Sequence, residues 1–503
     1  MADALSYLDA LKYILPEVAL TIGLCAVLIW DLLGGGADRP REGAWLSLGF
    51  LGLTCLLLIQ RLGWQEATVF GMVRVDPLAT VFKLFIATAV GLVIAFDLAD
   101  RRQPAEGKGE TWFLLLTAAL GGFFLVGTGN LILLYLGLET LGLSSYALAG
   151  IHKRDRAGAE ASLKYVVYGA LASGVLLFGA SLLYGMSGTL EMREMARFLV
   201  FAVDEGRSAQ VLLPTLLILV GFGFKLSLFP FQWWAPDVYQ GVSTPIAAFL
   251  AVASKGAALA ALVRLIAVAY SGLLRLGPDT FLPETDFTRG FVLLLALMSA
   301  ATMLFGNLAA LRQENLKRLL AYSSIGHAGY MLMGVAVLGE AGFRAALAYS
   351  FVYYLMTLGA FGMVLYFANQ SGSEDIRGLH GMGPRHPLAA TATIVFLASL
   401  TGLPPTAGFF GKWYLMVAAW EGGLPWLALL TALMSVVSLF YYFRIARALF
   451  LRPEEEATPL PDAPRTPVLG GILAVLAAGT LVFLWFEPLL AAASVGVEAV
   501  LHW

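Results

Sequence analysis

The sequence predicts an all-α, polytopic membrane protein of about 14 transmembrane helices, two of them broken. Three observations carry this reading. The 503 residues are 59% hydrophobic and 13% charged, with a mean hydropathy of +0.79, whereas soluble domains carry roughly 25% charged residues. There is too little charge to cover a water-facing surface, so the outer surface must face lipid. The apolar residues also come in long unbroken runs rather than alternating with polar ones. Lipid offers the backbone no hydrogen bonds, so a span must be a helix or a closed barrel; barrel strands alternate, and these runs do not. Finally, two runs are interrupted by proline and glycine beside a lysine.

Crossing the hydrocarbon takes about 20 residues of helix. Runs of that length fall at roughly 11–33, 43–61, 77–97, 111–128, 130–151, 160–185, 210–230, 241–270, 289–309, 316–338, 343–369, 387–415, 424–450 and 466–494. The opening MADALSYLDALKYILPEVAL has no basic leader and no small-residue cleavage site, and reads as the approach to a first span rather than a signal peptide. The polar stretches at 98–110, 186–209, 271–288, 370–386 and 451–466 read as inter-helix loops, and no linker divides the chain. Within 186–209, TLEMREMARFLVF is suited to a short surface helix.

Several chemistries are excluded at this level. The net charge is −2, with no run of four basic residues to track a nucleic-acid backbone. Cys25 and Cys55, both in apolar runs, cannot supply a disulfide framework, a structural zinc or an iron–sulfur cluster. With five histidines and no glycine-rich nucleotide loop after a strand, the chain is expected to hold no redox centre or metal of its own.

Loop charge sets orientation. Seventeen lysines and arginines fall in loops after odd-numbered spans and nine on the other side, so the basic loops are expected in the cytoplasm and both termini outside.

The remaining basic residues, Lys83, Lys164, Lys225, Lys255, Arg264 and Lys412, fall within spans, together with one deep acid, Glu139. A lysine at mid-bilayer costs at least about 2.5–3.5 kcal/mol on insertion scales. Lys83 and Arg264 lie near span ends and are expected to snorkel to the interface. Glu139, Lys225 and Lys255 lie too many residues from either end for that, and Lys164 and Lys412 fall between. Lys225 precedes Pro230 by five residues; Lys412 follows Pro404, Pro405, Gly408 and Gly411. A helix break in lipid persists only where protein or cavity water satisfies the freed carbonyls, and a break beside a lysine, occurring twice, is the pattern of ion pathways in repeat-built transporters. Burial disfavours an ammonium and a nearby carboxylate favours it, which makes Glu139 the expected tuning partner of Lys225. The alternative is an ion pair that merely pins helices together.

Five stretches resemble a known family. LGLETLGLSSYALAG followed by EASLKYVVYGALASG, then GFGFKLSLFPFQWWAPDVYQGVSTPIAAFLAVASKGAALAAL, NLKRLLAYSSIGHAGYML and GLPPTAGFFGKWYL are similar to spans 5 to 8, 10 and 12 of the antiporter-like subunits of proton-pumping NADH:quinone oxidoreductase, respiratory complex I, and most of all to its subunit N. The resemblance covers most of residues 110–450. It implies 14 helices with two inverted five-helix repeats: three N-terminal helices in 1–110, a first antiporter-like half in 111–270, a second in 289–450 and a C-terminal helix in 466–503. It implies a proton pathway through Glu139, Lys164, Lys225, Lys255 and Lys412. His327 either extends that axis between the halves or is a hydrogen-bonded packing histidine. It further implies a bacterial plasma-membrane location and partner subunits that bind NAD, FMN, iron–sulfur clusters and quinone, sister antiporter-like subunits among them. The rival readings are a subunit of a multisubunit sodium/proton antiporter, which shares single motifs, and an assembly scaffold whose charges no longer move protons.

Overall fold

The computed structural model describes residues 7–35, 40–103, 107–152, 155–274, 286–451, 467–481 and 486–501. The loop residues Arg39, Lys153, Arg154, Arg275, Arg452 and Arg465, used above for orientation, lie outside the described residues.

A short helix α1 (Tyr7–Tyr13) leads into α2 (Leu15–Trp30) and α3 (Pro40–Gln60). A small hairpin of β1 (Ala67–Val69) and β2 (Val73–Val75) follows, antiparallel, with Thr68 opposite Arg74. Next come α4 (Pro77–Ala99), α5 (Lys108–Val126), α6 (Leu131–Ala149), α7 (Arg156–Ser187) and the surface helix α8 (Met192–Asp204). The first broken span is α9 (Ser208–Leu226) and α10 (Trp234–Gly241). Beyond it lie α11 (Thr244–Ala269), α12 (Asp286–Ala310), α13 (Leu316–Ala336) and α14 (Glu340–Ser371). The second broken span is α15 (Pro387–Thr401) and α16 (Ala407–Glu421), followed by α17 (Pro425–Leu451), α18 (Pro467–Leu481) and α19 (Phe486–Leu501).

Among the described residues, eleven helices are long and apolar enough to cross a membrane. The other three expected spans are unusual for visible reasons. α13 is full-length but carries Lys317, Arg318, Ser323, Ser324 and His327. Span 12 is split at residues 402–406, and span 14 is divided between α18 and α19. The expected surface helix in TLEMREMARFLVF is α8; it buries Met192, Met195 and Leu199 and leaves Arg193 and Arg197 outward. The β-hairpin was not expected, because three-residue strands leave no periodicity to read.

Two stretches of the bundle share several features. Asn130 caps α6 by accepting from the Ile132 amide and bridges to Glu191 beyond α7; Asn315 caps α13 by accepting from the Arg318 amide and bridges to Asp375 beyond α14. α7 and α14 are both 32 residues long, and each is followed by a broken helix. Short polar caps satisfy the first free amides of each helix. Because an odd number of expected crossings separates them, the two Asn bridges lie at opposite ends of the bundle.

α11 is buried along its whole length. It packs against α4, α5, α8, α9 and α14. Leucine and phenylalanine on the outer faces of α3, α7 and α17, such as Leu56, Phe178 and Phe440, are exposed. That inversion of the soluble pattern is what a lipid solvent demands.

Candidate functional site: a row of buried lysines

The site begins where α9 stops. Its last turn ends at Ser227, whose φ of +59° turns the chain out of the helix. The Leu228 amide returns to the Gly223 carbonyl at 2.7 Å, and the Trp234 indole donates to the Phe224 carbonyl at 3.0 Å. Pro214, earlier in α9, does not interrupt the helix. Lys225 therefore stands in the final turn of a half-helix, where the backbone dipole favours a cation. Its side chain is 1% exposed, and its Nζ has no hydrogen-bond partner in the protein. The ammonium lies 5.8 Å from the centre of the Tyr165 ring, which stacks on Trp234 at 4.4 Å. Ser227 Oγ, both ends of Gln232, and the hydroxyls of Tyr165 and Tyr239 are likewise buried without a protein partner. The two tyrosine hydroxyls approach Ser145 and Ser324 without closing a hydrogen bond. Buried polar groups left open by protein are characteristically satisfied by water.

Lys255 lies on the fully buried α11, directly after a π-helical turn at Leu250–Ser254. Such turns interrupt regular helices and often mark functional positions; nothing in the sequence announced it. Lys255 Nζ donates to Ser324 Oγ at 2.7 Å, and Tyr353 OH donates to the same oxygen at 2.8 Å. The Tyr353 ring lies 5.3 Å from His327, whose Nδ1 shares a 2.7 Å hydrogen bond with Tyr349 OH. His327 is buried within electrostatic reach of both Lys255 and Lys412.

Lys412 completes the row. The chain leaves α15 at Gly402, φ +85°, and re-enters helix at Ala407. The carbonyls that this break frees, Leu400 and Thr401, accept from Lys412 Nζ at 3.0 and 2.9 Å, and Ser435 Oγ accepts at 3.2 Å. The Tyr330 ring lies 4.7 Å beneath the ammonium. Lysine and break are one device, since the cation satisfies the helix end that proline opened. A Cβ at Gly402 would stand 3.0 Å from Lys412 Cδ. Gly402→Ala is therefore expected to cost about 1–2 kcal/mol in left-handed strain, read as a lower thermal midpoint of the purified complex.

The other expected residues fall differently. Glu139 acts electrostatically on Lys225 but is not hydrogen-bonded to it. It is half-buried, on the helix face that also carries the exposed Ile132, Leu136 and Leu143. Lys164 is 39% accessible and pairs with Glu160 at 2.8 Å and Asp237 at 2.6 Å, lining an open surface pocket rather than the interior row. Lys83 and Arg264 do not snorkel. Both are fully buried: Lys83 pairs with Glu17 of α2, and Arg264 grips Asp76 through two bonds of 2.6 and 2.8 Å. Their counter-ions come from distant stretches of chain, which removes the need to reach water. Sequence reasoning passed over Ser324, Tyr349 and Tyr353, although Ser323, Ser324 and His327 share one face of α13 at spacings of three and four. No group of three or more His, Cys, Asp or Glu able to hold a metal occurs among the described residues.

A profile described as NADH:quinone oxidoreductase/Mrp antiporter, transmembrane, matches residues 128–438. The NADH-quinone oxidoreductase subunit N of Anaeromyxobacter sp. is 39% identical, with 94% of each chain covered. The chain belongs to the NADH-quinone oxidoreductase subunit N family. Among solved structures, a chain of Thermus thermophilus respiratory complex I with bound aureothin superposes with a TM-score of 0.77 at 33% identity, covering 95% of this chain and 98% of that one. A chain of the Mrp complex from Dietzia superposes at 0.83 with 21% identity, over 98% and 99%; at that identity it speaks for the fold alone. The five regions quoted for the resemblance thus sit in a subunit N family chain whose buried lysines occupy both broken spans and the central helix.

Proposed function

We propose that this chain is a membrane-arm subunit of a proton-pumping NADH:quinone oxidoreductase and supplies one of its proton channels. The single observation that carries the reading is the set Lys225, Lys255, His327 and Lys412, all buried inside a bundle of membrane-spanning length, with Ser324 and tyrosine hydroxyls on Lys255 and His327. Each is a group that takes up and releases protons, and none is neutralised by a hydrogen-bonded carboxylate. A proton arriving at Lys225 disfavours a second on Lys255 through charge repulsion, so loading and unloading propagate along the row. Glu139 sets the occupancy of Lys225 from the side. On its exposed apolar face, a carboxylate at membrane depth calls for a neighbouring subunit rather than lipid.

The chain brings no redox group to this task. Electrons pass in partner subunits from NADH through FMN and iron–sulfur centres to quinone, and the link to this chain is conformational and electrostatic. The end of the bundle rich in loop Lys and Arg faces the cytoplasm of a bacterial plasma membrane, with both termini outside. Residues 111–270 and 289–450 act as inverted halves, each with a lysine beside a broken helix; the paired Asn caps and 32-residue helices support this. Lys164 belongs to the approach from the cytoplasmic surface.

The fold is shared with Mrp-type subunits, so the decisive test is what the chain assembles with. An affinity-tagged chain purified in mild detergent is expected to bring flavin and iron–sulfur absorption with it, and proteoliposomes of that complex are expected to acidify their lumen on NADH oxidation. Recovery with small hydrophobic subunits alone, together with sodium/proton exchange, would overturn the proposal.

A further inference from the structure

Asp237 is a partly exposed carboxylate outside the lysine row. It lies in α10, the short second half of the first broken span, on the wall of an open pocket of about 270 Å³. One carboxylate oxygen accepts from Lys164 of α7 at 2.6 Å, and the other accepts from Arg318 of α13 at 2.6 Å. Lys164 is also paired with Glu160, and Arg318 also donates to Gln240 at 3.1 Å. A single carboxylate thus ties two helices that lead to different lysines: α7 continues into Tyr165, beneath Lys225, while α13 continues into Ser324, which holds Lys255.

Two aromatic rings connect the helices of this ion cluster with Lys225. Tyr165 follows Lys164 directly, and Trp234 lies one helical turn before Asp237. The two rings stack at 4.4 Å, and the Lys225 ammonium lies 5.8 Å from the centre of the Tyr165 ring. The Tyr165 hydroxyl is fully buried and has no protein partner. Asp237 and Lys164 both line the pocket, and each is joined through its own helix to one ring of the stacked pair beside Lys225.

We infer that Asp237 is the proton-intake carboxylate of this chain, held closed between Lys164 and Arg318. Its carboxylate takes a proton from pocket water. The neutral acid loses its hold on the two cations and the pocket opens inward. The proton then moves by way of the Tyr165 hydroxyl and intervening water to the uncharged amine of Lys225, and Asp237, again a carboxylate, re-forms both pairs. This rests on the proton-channel reading above.

The test uses the whole complex in proteoliposomes. Asp237→Asn is expected to lower NADH:quinone turnover and coupled pumping by about 10²-fold or more, the lower end of the scale on which positioned proton-transfer groups act. Azide or formate, small diffusible weak acids, is expected to restore turnover in part, and Asp237→Glu to retain most of it. Unchanged turnover would overturn the inference, and so would a loss that weak acids do not relieve, since that is the behaviour of a structural tie. Should Asp237→Asn not assemble, Ala157→Cys on the pocket rim keeps the carboxylate native. Labelling that thiol with a bulky methanethiosulfonate is expected to cut turnover comparably, with the unsubstituted protein, Cys25 and Cys55 in place, as control; full labelling with unchanged turnover counts against the inference. If Lys225→Ala pumps normally the channel reading itself falls, whereas an inactive Lys225→Ala beside a normal Asp237→Asn removes the intake assignment alone.

Discussion

Lys225→Ala is expected to reduce redox-driven proton pumping about 10²-fold or more, the lower end of what a positioned acid–base group contributes, while leaving the complex assembled. The substitution deletes the buried amine of the first broken span. It also removes the charge that would otherwise pass its repulsion to Lys255. Stability should suffer little, because Lys225 Nζ has no protein hydrogen bond to lose and its buried charge is itself costly. Quinone reduction should fall with pumping, since a coupled machine stalls when one of its steps does. The measurement is NADH-driven lumen acidification in proteoliposomes, normalised to flavin content and to quinone reduced. Normal acidification by a fully assembled variant would sink the pathway and favour a scaffold.

The second large effect is structural, at the end of the bundle opposite Asp237. Arg264 on α11 is fully buried, with two bonds to Asp76 and a third, 2.9 Å long, to the Val126 carbonyl at the end of α5. Asp76 in turn caps α4 through the Ala79 amide at 2.8 Å and lies 3.7 Å from Arg74 of the hairpin. Asp76→Ala leaves a guanidinium in apolar surroundings with no counter-ion. Breaking a buried pair from one side costs about 3–5 kcal/mol, so the variant complex is expected to be recovered in low yield and to inactivate at markedly lower temperature. The double substitution Asp76→Leu with Arg264→Met should recover much of that loss, because matched apolar groups carry no desolvation penalty. An Asp76→Ala complex as heat-stable as the unsubstituted one would show that the clamp contributes nothing.

That clamp marks where reading the chain in one dimension runs out. Lys83 and Arg264 look like interfacial cations when only their distance from a span end is considered. Their partners are Glu17 and Asp76, 66 and 188 residues away, and no local pattern connects them. Lys225, Lys255 and Lys412 were legible for the opposite reason: an ammonium far from any span end, or one beside a proline break, is anomalous wherever it points. Lys164 belonged to neither group, and it proved to be a half-exposed member of an ion cluster.

What the sequence determined by itself was the solvent, the helical class and the identity of the costly charges. All three follow from composition and run length, because lipid penalises each polar group one at a time. Tertiary structure alone decided which charges are paired and which stand free. It also decided that Ser324, Tyr353 and His327 cluster beside Lys255, that the Tyr330 ring contacts both His327 and Lys412, and that Asp237 shares one carboxylate between two helices. Electrostatic and hydrogen-bond energies depend on distances of a few ångströms, and those distances are set by how the helices are brought side by side.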